Sequence, residues 1–107
     1  MSHFLSWRDF AGSVPEKFHK ATLWQGDHVM IGVNCLEPGQ VQPVHAHSGA
    51  DKFYVVLEGK GLFRVGDEEI TAESGIVVVA PANIPHGVTN NGDERLSLLV
   101  AIAPGIK

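Results

Sequence analysis

Apolar and polar residues alternate along most of this chain, and the alternation has the period of a strand. From His28 to Leu36 the side chains of Val29, Ile31, Val33 and Cys35 fall on one face, as in a half-buried β-strand. Similar short runs follow at Val41 to His47, Asp51 to Glu58, Leu62 to Val65, Glu69 to Thr71, Ile76 to Ala80, His86 to Thr89 and Arg95 to Ala103, with a shorter one before them at Lys20 to Gln25. Turn chemistry separates the runs: Gly26-Asp27, Glu37-Pro38-Gly39-Gln40, Gly66-Asp67, Pro81 to Pro85, and Asn90-Asn91-Gly92-Asp93. The Ile76 to Ala80 run is apolar on both faces, which predicts a covered strand. Only Ser13 to Lys20 carries a helix signal, with Ser13 as cap and Glu16 three residues on. Residues 1–20 therefore read as an N-terminal arm lying on the body of the protein or on a neighbouring subunit. Eight to ten short strands with no repeat and no linker predict one closed antiparallel barrel or jelly roll.

Composition narrows the picture. A chain of 107 residues is one domain, 1–107, and buries roughly two thirds of its extended surface without needing disulfides. With 44% hydrophobic and 19% charged residues it is globular and not disordered. The net charge of −4, with eight scattered Lys and Arg, argues against a nucleic-acid partner. Cys35 is the only cysteine, so no internal disulfide is possible. The apolar run at the N-terminus is too short for a signal peptide, and that from Ile76 to Ala82 is far too short to span a membrane. A cytoplasmic protein without a membrane partner is the expectation.

Three of the six histidines are placed for metal chemistry. His45 and His47 are two residues apart, so on a strand both rings point to one face, about 6–7 Å apart at the backbone. Two imidazoles at that spacing can converge on one ion. His86 opens another strand after a proline-bounded turn and can reach the same end of the barrel. A His-x-His pair is also common as a surface or structural feature, and His3, His19 and His28 have no such context.

The residues around the three change that balance. Gly39-x5-His45-x-His47, followed by Asp51-Lys52 and a closing Gly59, resembles the first signature of the cupin family. Gly75-x5-Pro81-x-Asn83-x2-His86-x3-Asn90 resembles the second in spacing at every position. Together they span 39–90, about half the chain. The resemblance implies a small single-domain cupin: a jelly-roll barrel with a divalent transition metal held by His45, His47 and His86. It also implies a small-molecule substrate or ligand, and a homodimer. Imidazole ligands suit Fe, Ni, Zn, Mn or Cu alike and do not select among them.

Two positions depart from the family pattern. Asn83 stands where glycine is usual, and Asn tolerates the positive φ that such a turn needs. Lys52 stands where the family commonly has a fourth, acidic or amide ligand; Asp51 is acidic but one residue away. A one-residue shift turns a side chain to the opposite face. Apolar alternation (Phe53, Val55, Leu57) sends Asp51 inward, whereas the family register sends Lys52 inward. An ammonium about 5 Å from a dication, at an effective dielectric of about 20, is repelled by on the order of 6 kcal/mol. Lys52 inside would thus lose its proton or weaken the metal. Lys52 and Asp51 are both candidates to orient a substrate or move a proton. The bland reading is that Lys52 faces solvent or pairs with Glu58, leaving three histidines alone.

Three protein ligands leave coordination positions open, the form of a catalytic site. An oxygenase-, isomerase- or lyase-like enzyme is one reading. A non-catalytic binding module, or a scaffold barrel with a degenerate metal site, is the alternative. Cys35, Tyr54 and Phe63 read as core, Asn90 as a turn cap, Trp7 and Trp24 as covers for the barrel or an interface, and Asp67 to Glu69 as a hairpin tip.

Overall fold

The structure is a computed structural model that describes residues 2–105. Nine strands follow a short 3-10 turn at Trp7–Phe10: β1 (His19–Gln25), β2 (Met30–Leu36), β3 (Val41–His45), β4 (Asp51–Glu58), β5 (Lys60–Val65), β6 (Glu68–Glu73), β7 (Val77–Ala80), β8 (His86–Thr89) and β9 (Leu96–Ala103). They form two antiparallel sheets, ordered β1-β2-β9-β4-β7 and β3-β8-β5-β6. The all-β jelly-roll expectation therefore holds. Between the sheets lie Leu36, Tyr54, Val56, Phe63, Leu96 and Leu98, each at most 3% exposed. Burying side chains of this size stabilises the fold by about 1.5–3 kcal/mol each.

The register of β4 decides which residues line the interior. Lys52 pairs with Ile102 on β9, Tyr54 with Val100 and Val56 with Leu98. Lys52, Tyr54 and Val56 are buried, while Asp51 and Phe53 are exposed. The family register is thus the correct one, and the Phe53-Val55-Leu57 stripe faces outward. Apolar alternation pointed the wrong way because the outer face of this sheet is itself apolar.

Two other expectations are corrected. Ser13 caps no helix; its hydroxyl donates to Glu37 Oε2 at 2.9 Å, and the only helical turn among the described residues lies earlier, at Trp7–Phe10. The arm is instead pinned to the barrel by the Gln40 amide, which donates to the Val14 and Lys17 carbonyls at 2.7 and 2.9 Å. The second correction concerns β7. It is an edge strand, with Val77 and Val79 more than half exposed, not a covered one.

Several structural readings hold. Cys35 is buried and receives a hydrogen bond from the Ser97 hydroxyl at 3.4 Å. Asn90 donates to the Leu36 and Glu94 carbonyls and accepts from the Gly92 amide, closing the turn after β8. Glu58 pairs with Arg95 at 3.0 Å, so it is not the partner of Lys52.

Candidate metal centre

Strand pairing and one loop bring the three histidines together. In the β3–β8 ladder His45 lies directly opposite His86. The register slips between Gln42 and His45, where Pro43 has no amide to donate to the ladder. β3 ends at His45, so His47 belongs to the following loop and not to a continuous strand. Its ring reaches the group all the same. Ring centroids lie 4.8 Å apart for His45 and His47, 4.4 Å for His45 and His86, and 5.6 Å for His47 and His86. One nitrogen from each ring falls within 4.8 Å of the other two.

Hydrogen bonds set which nitrogen is available. His45 Nδ1 lies 2.8 Å from the Pro43 carbonyl, and His86 Nδ1 lies 3.0 Å from that of Ile84. A carbonyl only accepts, so Nδ1 carries the proton in both rings and Nε2 keeps its lone pair. His47 Nε2 and His86 Nε2 are buried with no hydrogen-bond partner. Buried polar atoms are seldom left so, and orphaned imidazole nitrogens aimed at one point fit a metal ion. Burial, then the nearby Lys52 ammonium and His45, hold His47 below the usual histidine range. Burial does the same to His86 against the opposing Ile84 hydrogen bond, helped by Lys52, His45 and His47. Both rings are therefore neutral near physiological pH, the form that ligates.

The turn before β8 is tied to its surroundings from both sides. The Asn83 amide donates to the His47 carbonyl at 2.7 Å, and the Ala82 amide to Asp51 Oδ1 at 2.8 Å. Asn83 has φ 67°, the one non-glycine among the described residues in the left-handed region. The tolerance of Asn for this conformation is what the turn uses. Asp51 is thus outside the pocket, holding the loop that delivers His86.

Lys52 is inside, only 5% exposed, with its ammonium 4.8 Å from the centre of the Tyr54 ring. Burial, aided by the Lys20 cation, pulls it down to about 8. His45, His47 and Lys52 line a cavity of about 300 Å³ that also takes in Lys20, Thr22, Asn34 and Gln42. The last four escaped sequence reasoning. Gln42 carries a faint signal, because it lies inside the first signature's spacer; nothing marked Lys20.

Two antiparallel sheets, with three histidines brought close enough to hold a metal ion, define a double-sheet β-barrel. The family model described as the cupin domain matches residues 32–102, and the chain belongs to the cupin family. Its fold is closely similar to that of TT1209 from Thermus thermophilus, with a TM-score of 0.92 and 39% identity over 96% of this chain and 98% of the other. An RmlC-like cupin protein from Desulfovibrio desulfuricans superposes with a TM-score of 0.83 at 35% identity, over 99% and 98% of the two chains. Among curated relatives, the uncharacterized protein MJ1618 of Methanocaldococcus jannaschii is 24% identical over 87% of this chain and 74% of its own length. The chain spans about half the length of the curated relatives from Bacillus subtilis, Zea mays and Arabidopsis thaliana. No helix among the described residues is long and apolar enough to cross a membrane.

Proposed function

We propose that the protein is a metal-dependent enzyme acting on a small organic molecule inside the barrel, with His45, His47 and His86 as the metal ligands. One observation carries the reading. Two buried Nε2 atoms without partners, and a third ring whose Nδ1 is held by a carbonyl, converge beside one cavity. A divalent transition metal there would supply Lewis-acid or redox chemistry and keep positions open for substrate oxygen. The Pro43 and Ile84 carbonyls fix ring orientation and tautomer. Lys52, shifted towards neutrality, holds or accepts a proton at Nζ beside the substrate. The apolar wall of Met30, Val100 and Ile102 excludes water. Oxygenase-, isomerase- and lyase-like reactions all use such a site, and the fold does not choose between them.

A second reading, a binding barrel without turnover, is favoured by Lys52 itself, since a cation beside the histidines opposes a dication. A cytoplasmic homodimer completes the proposal. The lone buried cysteine suits a reducing compartment, and the exposed valines of edge strand β7 suit self-pairing.

Metal analysis of protein purified without added metal or chelator tests the reading. The expected result is about one transition-metal equivalent per chain, lost in His47→Ala. No uptake by the wild-type protein on titration would overturn it. Unchanged recovery of any co-purifying ligand after incubation with the loaded protein would favour the binding module.

A further inference from the structure

The walls of the cavity carry an unbalanced charge. The protein as a whole is acidic, at −4. Yet the residues lining this cavity include two lysines, Lys20 and Lys52, and two histidines, and no aspartate or glutamate. Lys52 is 5% exposed and makes no ion pair with any described carboxylate. The one carboxylate next to it in sequence, Asp51, points outward to the Ala82 amide. A buried ammonium without a counter-ion is costly, and at a cavity wall an anion brought in by the ligand offsets that cost.

We infer that the cavity is built for a small organic carboxylate, whose negative group is held between Lys52 and Lys20 while a second oxygen faces His45 and His47. The amide wall agrees with this assignment. Gln42 Oε1 accepts the Tyr54 hydroxyl at 2.6 Å, so what Gln42 offers the cavity is its N–H donors. Met30, Val100 and Ile102 supply a surface for the carbon skeleton, which an inorganic anion would not need. The volume of about 300 Å³ is at the lower end for ligand pockets, room for about ten waters or an acid of comparable size. The inference rests on the same pocket as the proposed metal-dependent function, and it supplies the partner that offsets the repulsion between Lys52 and a bound cation.

Calorimetric titration with malonate, with its neutral counterpart malonamide and with inorganic phosphate tests this on chelator-treated and on metal-loaded protein. The expected result is malonate binding in both states, with malonamide and phosphate each weaker by about ten-fold or more. Lys52→Met should lose about ten-fold or more in malonate affinity, Lys20→Met a smaller part, and Lys52→Arg should retain most of it. Equal binding of malonate and malonamide, phosphate binding as tight as malonate, or unchanged affinity in Lys52→Met would each overturn the assignment. Should Lys52→Met fail to fold, Lys20→Met and the malonate–malonamide comparison on the wild type still decide. Malonate binding without metal uptake would overturn the metal-dependent reading alone; metal uptake without malonate binding would overturn this one alone.

Discussion

Lys52 is a cation buried in the interior of this cupin, 5% exposed at the wall of the cavity. Its folded-state value of about 8 lies below the ordinary 10.5 because burial disfavours the ammonium. The unfolded chain binds that proton more tightly, so the penalty on folding is complete below about pH 8 and vanishes above 10.5. The stability of metal-free protein should therefore rise by about 2 kcal/mol between about pH 7 and pH 10 through this group. Lys52→Met should be more stable than wild type at neutral pH and lack that rise, as urea melts across the range would read. The comparison between the two proteins isolates Lys52. Tyr54, whose phenol burial holds protonated, pulls in the opposite direction at higher pH in both. At the acid end, His47 and His86 have depressed values, so their contribution is a penalty that grows as pH falls below 6.5. Acid should thus both weaken metal binding and destabilise the metal-free fold.

Among the elements, the turn from Pro81 to Pro85 matters most, because it presents His86 to the partner strand. Asn83→Ala removes the residue that tolerates φ 67° and should cost about 1 kcal/mol, whereas Asn83→Gly should be close to neutral. Asp51→Ala removes the acceptor for the Ala82 amide. It should lower metal affinity by up to about ten-fold while leaving all three histidines in place, measured by competition with a chelator. The β4–β5 junction is the other constrained point. Gly59 has φ 78°, and a Cβ there would collide with the Arg95 carbonyl oxygen. Gly59→Ala should therefore destabilise the protein by on the order of 2 kcal/mol, visible as a lowered melting temperature without loss of bound metal.

The molecule taken together presents one face that none of the described residues covers. Phe53 on β4 and Val77 and Val79 on β7 are 41%, 55% and 59% exposed, and the patch continues over the open edge to Ile70 and Ile76. β7 ends its sheet with one side unpaired. A second copy meeting the same face about a two-fold axis would cover the patch and pair the edge. Sedimentation velocity should find a dimer that Val79→Asp converts to monomer with the fold intact by circular dichroism. A monomeric wild type at about 100 μM would refute the pairing.

Strand period, turn residues and two spaced signatures were sufficient to place this chain among all-β barrels and to single out His45, His47 and His86, because those signals are local. Strand bounds at Asp51–Glu58 and His86–Thr89 could be read directly for the same reason. Which face of β4 looks inward could not, since both faces are apolar enough to be a core face and only pairing with β9 chooses between them. The exposure of β7 likewise depends on strand order, which no local pattern encodes. The cavity's wall joins the cations Lys20 on β1 and Lys52 on β4 with the neutral amide of Gln42 on β3, residues brought together by two sheets closing on each other. Spacing along the chain names possible ligands; long-range registry decides what surrounds them, because each inward position is set by its neighbour across the sheet.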